Sequence, residues 1–339
     1  MDLLPSPEQE EIVASVAAFI DAELPAIRLR QFFAERSTVD RAIWTKSAAL
    51  GWFALGLSEA LGGVGYGMAE EALMFREIGR RLAPGPLVAT CLAARLAAEA
   101  GQVELAASIR DGVAVVGLAQ TAGGVSSPAA VSGPVDLYDC VDTDLVLVAS
   151  RAGAALFDSG ALSAVEPYPC LDPGVRTARA RIDDVQPVAV VAGGAIFRRG
   201  AVLTAAMAAG IAEAARDMAA EHAKTRIQFG KPIGVHQAVK HACTDMAVRA
   251  EAAASQVFFA AMTVGEGSAD AAFQAASAKV VAIDAALRNA RANIQVHGGM
   301  GFTWEHDAHL LLKRAHVLNL MFGARESHLA ELIGLPAAQ

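Results

Sequence analysis

Two glycine-bearing turns contain the residues of this sequence that are best suited to chemistry. The first, RIQFGKPIGVHQ, runs from Arg226 to Gln237, and the second, QVHGGMGF, runs from Gln295 to Phe302. Each turn follows a long stretch with helical character. Backbone N–H groups can approach a ligand closely where glycine removes the side chain, and helix termini offer N–H groups to anions. The two turns therefore predict a site for a phosphate-bearing cofactor.

The elements around these turns are predicted to be mainly helical. Residues from about 8 to 105 have helical spacing, and Ser6 with Gln9 has the spacing of a capping box. The four-glycine loop at 61–67 is best explained as a turn between helices, since no strand precedes it, and it is only a weak phosphate signal. Further helices are predicted over 68–81, 202–224, 235–264, 271–296 and 307–323.

A change of texture near Gly112 indicates a β domain. Valine-rich runs at 113–119 and 145–149 are bounded by glycine, proline and aspartate, which is typical of strands. We therefore expect three domains: an N-terminal helical domain, a middle β domain and a C-terminal helical bundle that carries the two turns and hence the cofactor contacts. Their expected bounds are 1–110, 111–195 and 196–339.

Composition narrows the class of protein. The 339 residues are 54% hydrophobic and 19% charged, which excludes a disordered chain, and the net charge of -8 argues against a nucleic-acid partner. No signal sequence is apparent at the acidic N-terminus, and no uncharged apolar run reaches the ~18–20 residues of a membrane span. The scattered cysteines predict reduced thiols in a cytoplasmic protein. They are Cys91, Cys140, Cys170 and Cys243.

The order of helices, β domain and helices resembles the acyl-CoA dehydrogenase family. Leu50-Gly-Trp52, the Gly62-Gly63 loop and Glu77-Ile-Gly-Arg-Arg-Leu-Ala-Pro84 are similar to its N-terminal domain, and the resemblance is strongest from Gly210 onward. The segment GFTWEHDAH, residues 301–309, resembles more particularly the actinobacterial enzymes that act on CoA esters of steroid side chains. This resemblance implies a mainly α protein with a sandwich- or barrel-like middle domain and a C-terminal four-helix bundle.

The resemblance also implies a cofactor and the residues that hold it. Acyl-CoA dehydrogenases are flavoenzymes in which these two turns reach the FAD of a neighbouring subunit. An arginine suits the pyrophosphate because its planar fork can bond two oxygens. The residues implied on the adenine and pyrophosphate side are Arg226, Gln228, Phe229, Gln237, Gln295, Gly298 and Gly299. On the flavin-ring side the family pattern is eroded: the loop at 119–128 lacks the Thr-Glu-Pro-like sequence, and no tryptophan lies between Trp52 and Trp304.

The catalytic base expected from the resemblance is missing. The family removes the α proton of an acyl-CoA thioester with a glutamate, which must lie within hydrogen-bond reach of that proton. The usual position corresponds to Phe322, and a minority position corresponds to Gly200; neither side chain can accept a proton. Glu326 and Glu213 are the nearest downstream carboxylates, and each would need a register shift or a helix rotation.

Plainer explanations exist for several of these residues. Arg226 could be an exposed cation at a helix C-terminus, worth only about 0.3–1 kcal/mol, and Gly298-Gly299 also suits a helix cap. His306, His309 and His316 have helical spacing, but no nearby cysteine completes a ligand set, so no metal is predicted.

Three hypotheses follow. In the first, the chain is a subunit of a heterotetramer in which a homologous partner supplies the catalytic glutamate, with an acyl-CoA substrate and an electron-transfer flavoprotein as acceptor. In the second, it is a self-sufficient homotetrameric dehydrogenase with an unusual base. In the third, it is a flavin-free scaffold or CoA-ester-binding subunit.

Overall fold

The structure, a computed structural model, describes residues 5–32, 35–121, 127 and 130–335. Its helices are α1 (Pro7–Glu23), α2 (Ile27–Phe32), α3 (Arg41–Ala49), α4 (Met68–Arg80), α5 (Leu87–Glu99), α6 (Val103–Arg110), α7 (Ala195–Thr225), α8 (Gln237–Gly265), α9 (Ala271–His297), α10 (Ala308–Leu320) and α11 (Arg325–Gly334). Its strands are β1 (Val116–Thr121), β2 (Gly133–Tyr138), β3 (Leu145–Ala149), β4 (Gly153–Asp158), β5 (Ser163–Tyr168), β6 (Thr177–Ile182), β7 (Ala189–Ala192), β8 (Ile227–Gln228) and β9 (Lys231–Pro232).

The chain divides into two compact units. The bundle unit takes residues up to 22, residues 72–83 and everything from 201 onward, and the sheet unit takes residues 23–71 and 84–200. The prediction of a mainly helical protein with a central sheet is confirmed.

The sheet unit contains a seven-stranded sheet in the order β5-β6-β2-β1-β3-β4-β7. β1 pairs antiparallel with β2 and parallel with β3, and one face carries a core that includes Val146, Phe157 and Ile182. The strand predicted at 145–149 has those bounds, whereas the one predicted at 113–119 begins only at Val116. The strand begins late because the N–H groups of Val113 and Ala114 donate to the Ser108 carbonyl at the end of α6 and are not available for sheet pairing.

The bundle unit is built on alanine-rich helices that approach one another closely. A Cβ on Gly210 of α7 would lie 1.9 Å from the Arg76 carbonyl of α4, and one on Gly79 would lie 2.1 Å from the Met207 carbonyl. Among the described residues, α7 is long and apolar enough to cross a membrane by length and composition, but 89% of its most apolar window is buried. It is therefore a core helix of the fold.

The predicted capping box at the start of α1 is confirmed. The Ser6 N–H donates to Gln9 Oε1 at 2.9 Å, and the Gln9 N–H donates to Ser6 Oγ at 3.3 Å. Each side chain thus satisfies a backbone donor that the first helical turn leaves open.

Candidate active-site turns

The first turn is a tight hairpin that projects from the end of α7. Strands β8 and β9 pair through Gln228 and Lys231, and the Ile233 N–H donates to the Arg226 carbonyl at 2.9 Å. The two central residues, Phe229 and Gly230, have φ of 52° and 75°. Such a two-residue turn with positive φ twice favours Asn-Gly or Gly-Gly, because a side chain in this region costs about 1–2 kcal/mol. The positive φ of Phe229 at the tip therefore carries a conformational free-energy cost.

The tip residue has no packing role within the chain. Phe229 is 95% exposed, although an aromatic ring is among the most favourable groups to bury. An unfavourable φ and an exposed ring therefore coincide at Phe229.

The second turn ends α9. The Gly298 N–H donates to the Gln295 carbonyl, and Gly298 has φ of 63° and ψ of -144°, a conformation that requires glycine. The following residues, Gly298–Phe302, form a 3-10 turn. A Cβ on Gly298 or Gly299 would meet no atom within 4 Å, whereas one on Gly301 would lie 2.9 Å from the Ile294 carbonyl. Gly301 therefore serves packing, while Gly298 and Gly299 leave backbone open at the surface.

A cluster of three histidine rings brings the two turns together. His222, in the last turn of α7, lies with its ring centroid 4.1 Å from that of His297 at the end of α9, and His297 lies 4.4 Å from His306. The His306 Nδ1 accepts a hydrogen bond from the Ala308 N–H at 3.1 Å. Burial lowers the pKa of His222, and the neighbouring charges of His297, Arg226 and His306 lower it further. The neutral form of His222 is therefore favoured, and the three rings join the two turns at one end of the bundle unit.

The seven residues implied for the cofactor share one property: each is exposed in this chain. They are Arg226, Gln228, Phe229, Gln237, Gln295, Gly298 and Gly299. This donor set fits a dinucleotide-like group, since the guanidinium can bond a pyrophosphate, the carboxamides can bond the edge of a base, and the open glycines admit close approach of backbone N–H groups. All seven residues are therefore accessible from outside the chain.

The two family positions for the base are both buried and both without an acid or base. Phe322 is 1% exposed with φ of 53°, and its carbonyl accepts a hydrogen bond from His328 Nε2 at 2.9 Å. Gly200 is buried within α7, and its neighbour Arg199 forms a buried ion pair with Glu71. Both positions therefore belong to the buried core of the chain.

A buried lysine fixes the chain just before Phe322. Lys279 Nζ donates to the carbonyls of Leu318 and Met321 at 2.7 and 2.8 Å, and to Thr204 Oγ1 at 2.8 Å. It thereby satisfies carbonyls that the end of α10 would leave open. Burial lowers the pKa of Lys279 to about 7. Sequence reasoning missed this residue, because a lone lysine in an alanine-rich helix gives no signal of burial.

The two alternative carboxylates lie in different surroundings. Glu213 is mostly buried and forms ion pairs with Arg76 and Arg80, both at 3.4 Å. Burial raises its pKa, while the charges of Arg76, Arg80 and Arg216 oppose that shift. Glu326 is exposed in the first turn of α11, 3.9 Å from Arg325. Glu213 is thus engaged in a salt-bridge cluster, and Glu326 lies at the surface.

Two other sequence expectations concern the surroundings of the site. Within the described ranges, no group of three or more histidine, cysteine, aspartate or glutamate side chains could hold a metal ion. Of the loop predicted to have lost the flavin-ring sequence, residues 122–126 and 128–129 lie outside the described residues.

The comparisons with known proteins decide the family. The acyl-CoA dehydrogenase N-terminal domain matches residues 6–113, and the acyl-CoA dehydrogenase C-terminal domain matches residues 190–333. The chain is 33% identical over 320 residues to the acyl-CoA dehydrogenase IpdE2 of Mycobacterium tuberculosis, covering 93% of this chain and 92% of that protein. The chain belongs to the acyl-CoA dehydrogenase family. Its enzyme class is therefore that of oxidoreductases acting on acyl-CoA thioesters, and the family depends on FAD.

Two further likenesses concern how such chains are assembled. The chain is 34% identical to the acyl-CoA dehydrogenase FadE34 of Mycobacterium tuberculosis, covering 96% of this chain but only 46% of that longer protein. Among solved structures, the ChsE4-ChsE5 complex from Mycobacterium tuberculosis superposes with a TM-score of 0.85 and 25% identity, covering 99% of this chain and 100% of the matched chain. This acyl-CoA dehydrogenase fold thus occurs as a separate chain, within a longer chain and in a complex of two named subunits.

Proposed function

We propose that this chain is a subunit of a hetero-oligomeric, FAD-dependent acyl-CoA dehydrogenase and completes the cofactor site of a homologous partner. One observation carries the proposal: cofactor-type donors are gathered on an exposed surface, while the chain's own base position is a buried phenylalanine. A chain that worked alone would need both parts. The partner would then supply the glutamate and the flavin-ring pocket.

The chain's own residues would bind and orient the cofactor. Arg226 would bond pyrophosphate oxygens, and the carboxamides of Gln237 and Gln295 would bond the adenine side, with Gln228 and Phe229 packed beside it. Gly298 and Gly299 would let their backbone N–H groups approach. Bound FAD would supply the acceptor for the β hydrogen of the thioester as hydride, and this chain's residues would contribute position and charge.

The pairing of unequal subunits has support outside the sequence motifs. The matched solved structure is a complex named for two proteins, ChsE4 and ChsE5. The longer relative FadE34 extends well beyond the region that this chain matches, which leaves room for a second unit of similar size. Both arrangements would place a second dehydrogenase unit beside the one that corresponds to this chain.

The substrate we propose is a bulky CoA thioester with a steroid-derived side chain. The motive is the segment from Gly301 to His309, which resembles steroid side-chain enzymes. An electron-transfer flavoprotein would take the electrons, as the family resemblance implies. The half-buried and buried free cysteines are consistent with a reducing, cytoplasmic setting.

Separate and joint expression tests the proposal. The chain is produced alone and together with the dehydrogenase-like product of a neighbouring gene, and dehydrogenation of a steroid side-chain CoA ester is followed with an artificial electron acceptor. We expect turnover only from the joint preparation. Full turnover from the chain alone would establish the homotetrameric alternative, and a joint preparation without flavin would establish the scaffold alternative.

A further inference from the structure

Three histidine side chains lie between the supports of the two cofactor turns, and we call them the histidine cluster. His222 is in the last turn of α7, four residues before Arg226. His297 is the last residue of α9, directly before Gly298. The rings of His222 and His297 lie face to face, with their centroids 4.1 Å apart and their planes inclined by 25°. His306 extends the cluster, because its ring centroid lies 4.4 Å from that of His297.

Backbone groups fix the orientation of two of these rings. His297 Nδ1 lies 2.9 Å from the Asn293 carbonyl oxygen. Because a carbonyl oxygen can only accept, the Nδ1 of His297 carries the proton in this bond. His306 Nδ1 accepts the Ala308 N–H at 3.1 Å, so this nitrogen carries no proton. The two rings are therefore held by the backbone as well as by their contact with each other.

Each cofactor turn is also closed by a bond of its own. In the first turn the Ile233 N–H donates to the Arg226 carbonyl. In the second turn the Gly298 N–H donates to the Gln295 carbonyl. These bonds set the shape of each turn, but they do not relate one turn to the other. The histidine cluster does so, because it joins the end of α7 to the end of α9.

A ligand that spans both turns needs them at a fixed separation. Ordering a loose site on binding costs free energy, so two turns that are already in place bind more tightly than two that must be brought together. We propose that the histidine cluster positions the two turns so that one FAD can contact both. The inference rests on the proposed function, because it takes both turns to contact FAD. The three histidines are positioning residues that act through the turns rather than on the cofactor.

Substitution of His222 tests this role in the complex of the chain with its partner. His222 is half-buried at one end of the cluster, so its replacement carries less risk to folding than replacement of the buried His297. His222→Ala removes the ring, whereas His222→Phe keeps an aromatic face against His297. The matched control is His316→Ala, which removes a half-buried histidine of α10 outside the cluster. FAD affinity is measured by flavin fluorescence titration of the complex after its flavin has been removed, and stability is measured by urea denaturation of the chain.

We expect His222→Ala to raise the dissociation constant of FAD about tenfold, which corresponds to about 1.4 kcal/mol. Its urea midpoint should shift no more than that of His316→Ala, which should leave FAD affinity unchanged. His222→Phe should return the affinity to within about threefold of the wild type, because an aromatic ring again contacts His297. A histidine with a merely structural role would lower FAD affinity only together with stability, so the split between the two measurements identifies positioning.

Arg226→Ala separates failure of this inference from failure of the proposed function. If Arg226→Ala weakens FAD binding and His222→Ala does not, the positioning role is wrong and the cofactor assignment stands. If neither variant weakens FAD binding, the proposed function fails and the inference fails with it. Equal losses of FAD affinity in His222→Ala and His222→Phe would also overturn the inference, because the ring contact would then make no difference. Equal losses in His222→Ala and His316→Ala would overturn it as well, because the effect would not be specific to the cluster.

Discussion

Replacement of Arg226 by alanine separates the cofactor role from a structural one. The arginine is exposed on the hairpin, and its N–H closes the last turn of α7 through a backbone bond that alanine retains. As a cation at a helix C-terminus its side chain would stabilise the fold by about 0.3–1 kcal/mol. As a pyrophosphate ligand it would make charge-assisted hydrogen bonds worth about 1.5–3 kcal/mol each. Loss of a cofactor ligand would therefore change mainly the affinity for FAD, whereas loss of a structural cation would change only the free energy of unfolding.

We expect Arg226→Ala to weaken FAD binding by about 2–4 kcal/mol, which is about 30-fold to several hundred-fold in dissociation constant. The free energy of unfolding of the chain without FAD should change by no more than ~1 kcal/mol. FAD titration followed by flavin fluorescence measures the first quantity in the co-purified complex, and urea denaturation of the chain measures the second.

The matched control is Lys231→Ala, which removes a cation from the other strand of the same hairpin. It should affect FAD binding by less than about threefold, the effect of a distant screened charge. Equal losses of FAD affinity in both variants would show that Arg226 contributes only a general positive charge. Unchanged FAD binding in Arg226→Ala would refute the cofactor assignment.

Three further variants probe the bundle unit. Burial lowers the pKa of Lys279 from the usual 10.5 to about 7 in the folded chain, so between these pH values the unfolded chain binds more protons than the folded chain. The unfolding free energy of the wild type, relative to that of Lys279→Met, should therefore rise between pH 7 and 10.5 by at most about 1.4 kcal/mol per pH unit. A difference between the two proteins that does not change with pH, measured by urea denaturation, would contradict this. Gly210→Ala should destabilise the fold by about 1–3 kcal/mol, because the added Cβ would collide with the Arg76 carbonyl of α4. Gly334→Ala should not destabilise the fold, because the space around its Cβ position is open. Thermal denaturation of the two variants and the wild type measures the difference. Glu213→Gln should destabilise the fold by about 1–3 kcal/mol, because it removes the ion pairs to Arg76 and Arg80 while these arginines keep Glu77 and Asp217 as partners. Glu326→Gln should change neither stability nor turnover, and a Glu213→Gln protein of normal stability without turnover would instead identify a base.

Local patterns allowed much of the fold to be predicted. The capping box of Ser6 and Gln9 and the valine-rich strand at 145–149 are encoded by neighbouring residues, so the sequence alone predicts them. Helix α7 begins at Ala195, earlier than the predicted 202, and runs through Gly200, which lowers helix propensity but is buried here.

Contacts between distant segments could not be predicted in the same way. The burial of Lys279 depends on carbonyls at the end of α10, about forty positions away, and the charge of Glu213 is balanced by arginines of α4. The stack of His222 and His297 joins the ends of two helices that sequence spacing does not relate. These features arise from packing, which a periodic pattern does not specify.

Flavin stoichiometry tests the central claim most directly. The complex of this chain with its partner is purified, its subunit ratio is measured by amino-acid analysis, and its FAD is released and counted. The account predicts about half a flavin per polypeptide chain, because each site would use turns from this chain and the pocket and glutamate of its partner. About one flavin per polypeptide chain would contradict the account, because every chain, including this one with Phe322 and Gly200 at the base positions, would then hold a complete cofactor site.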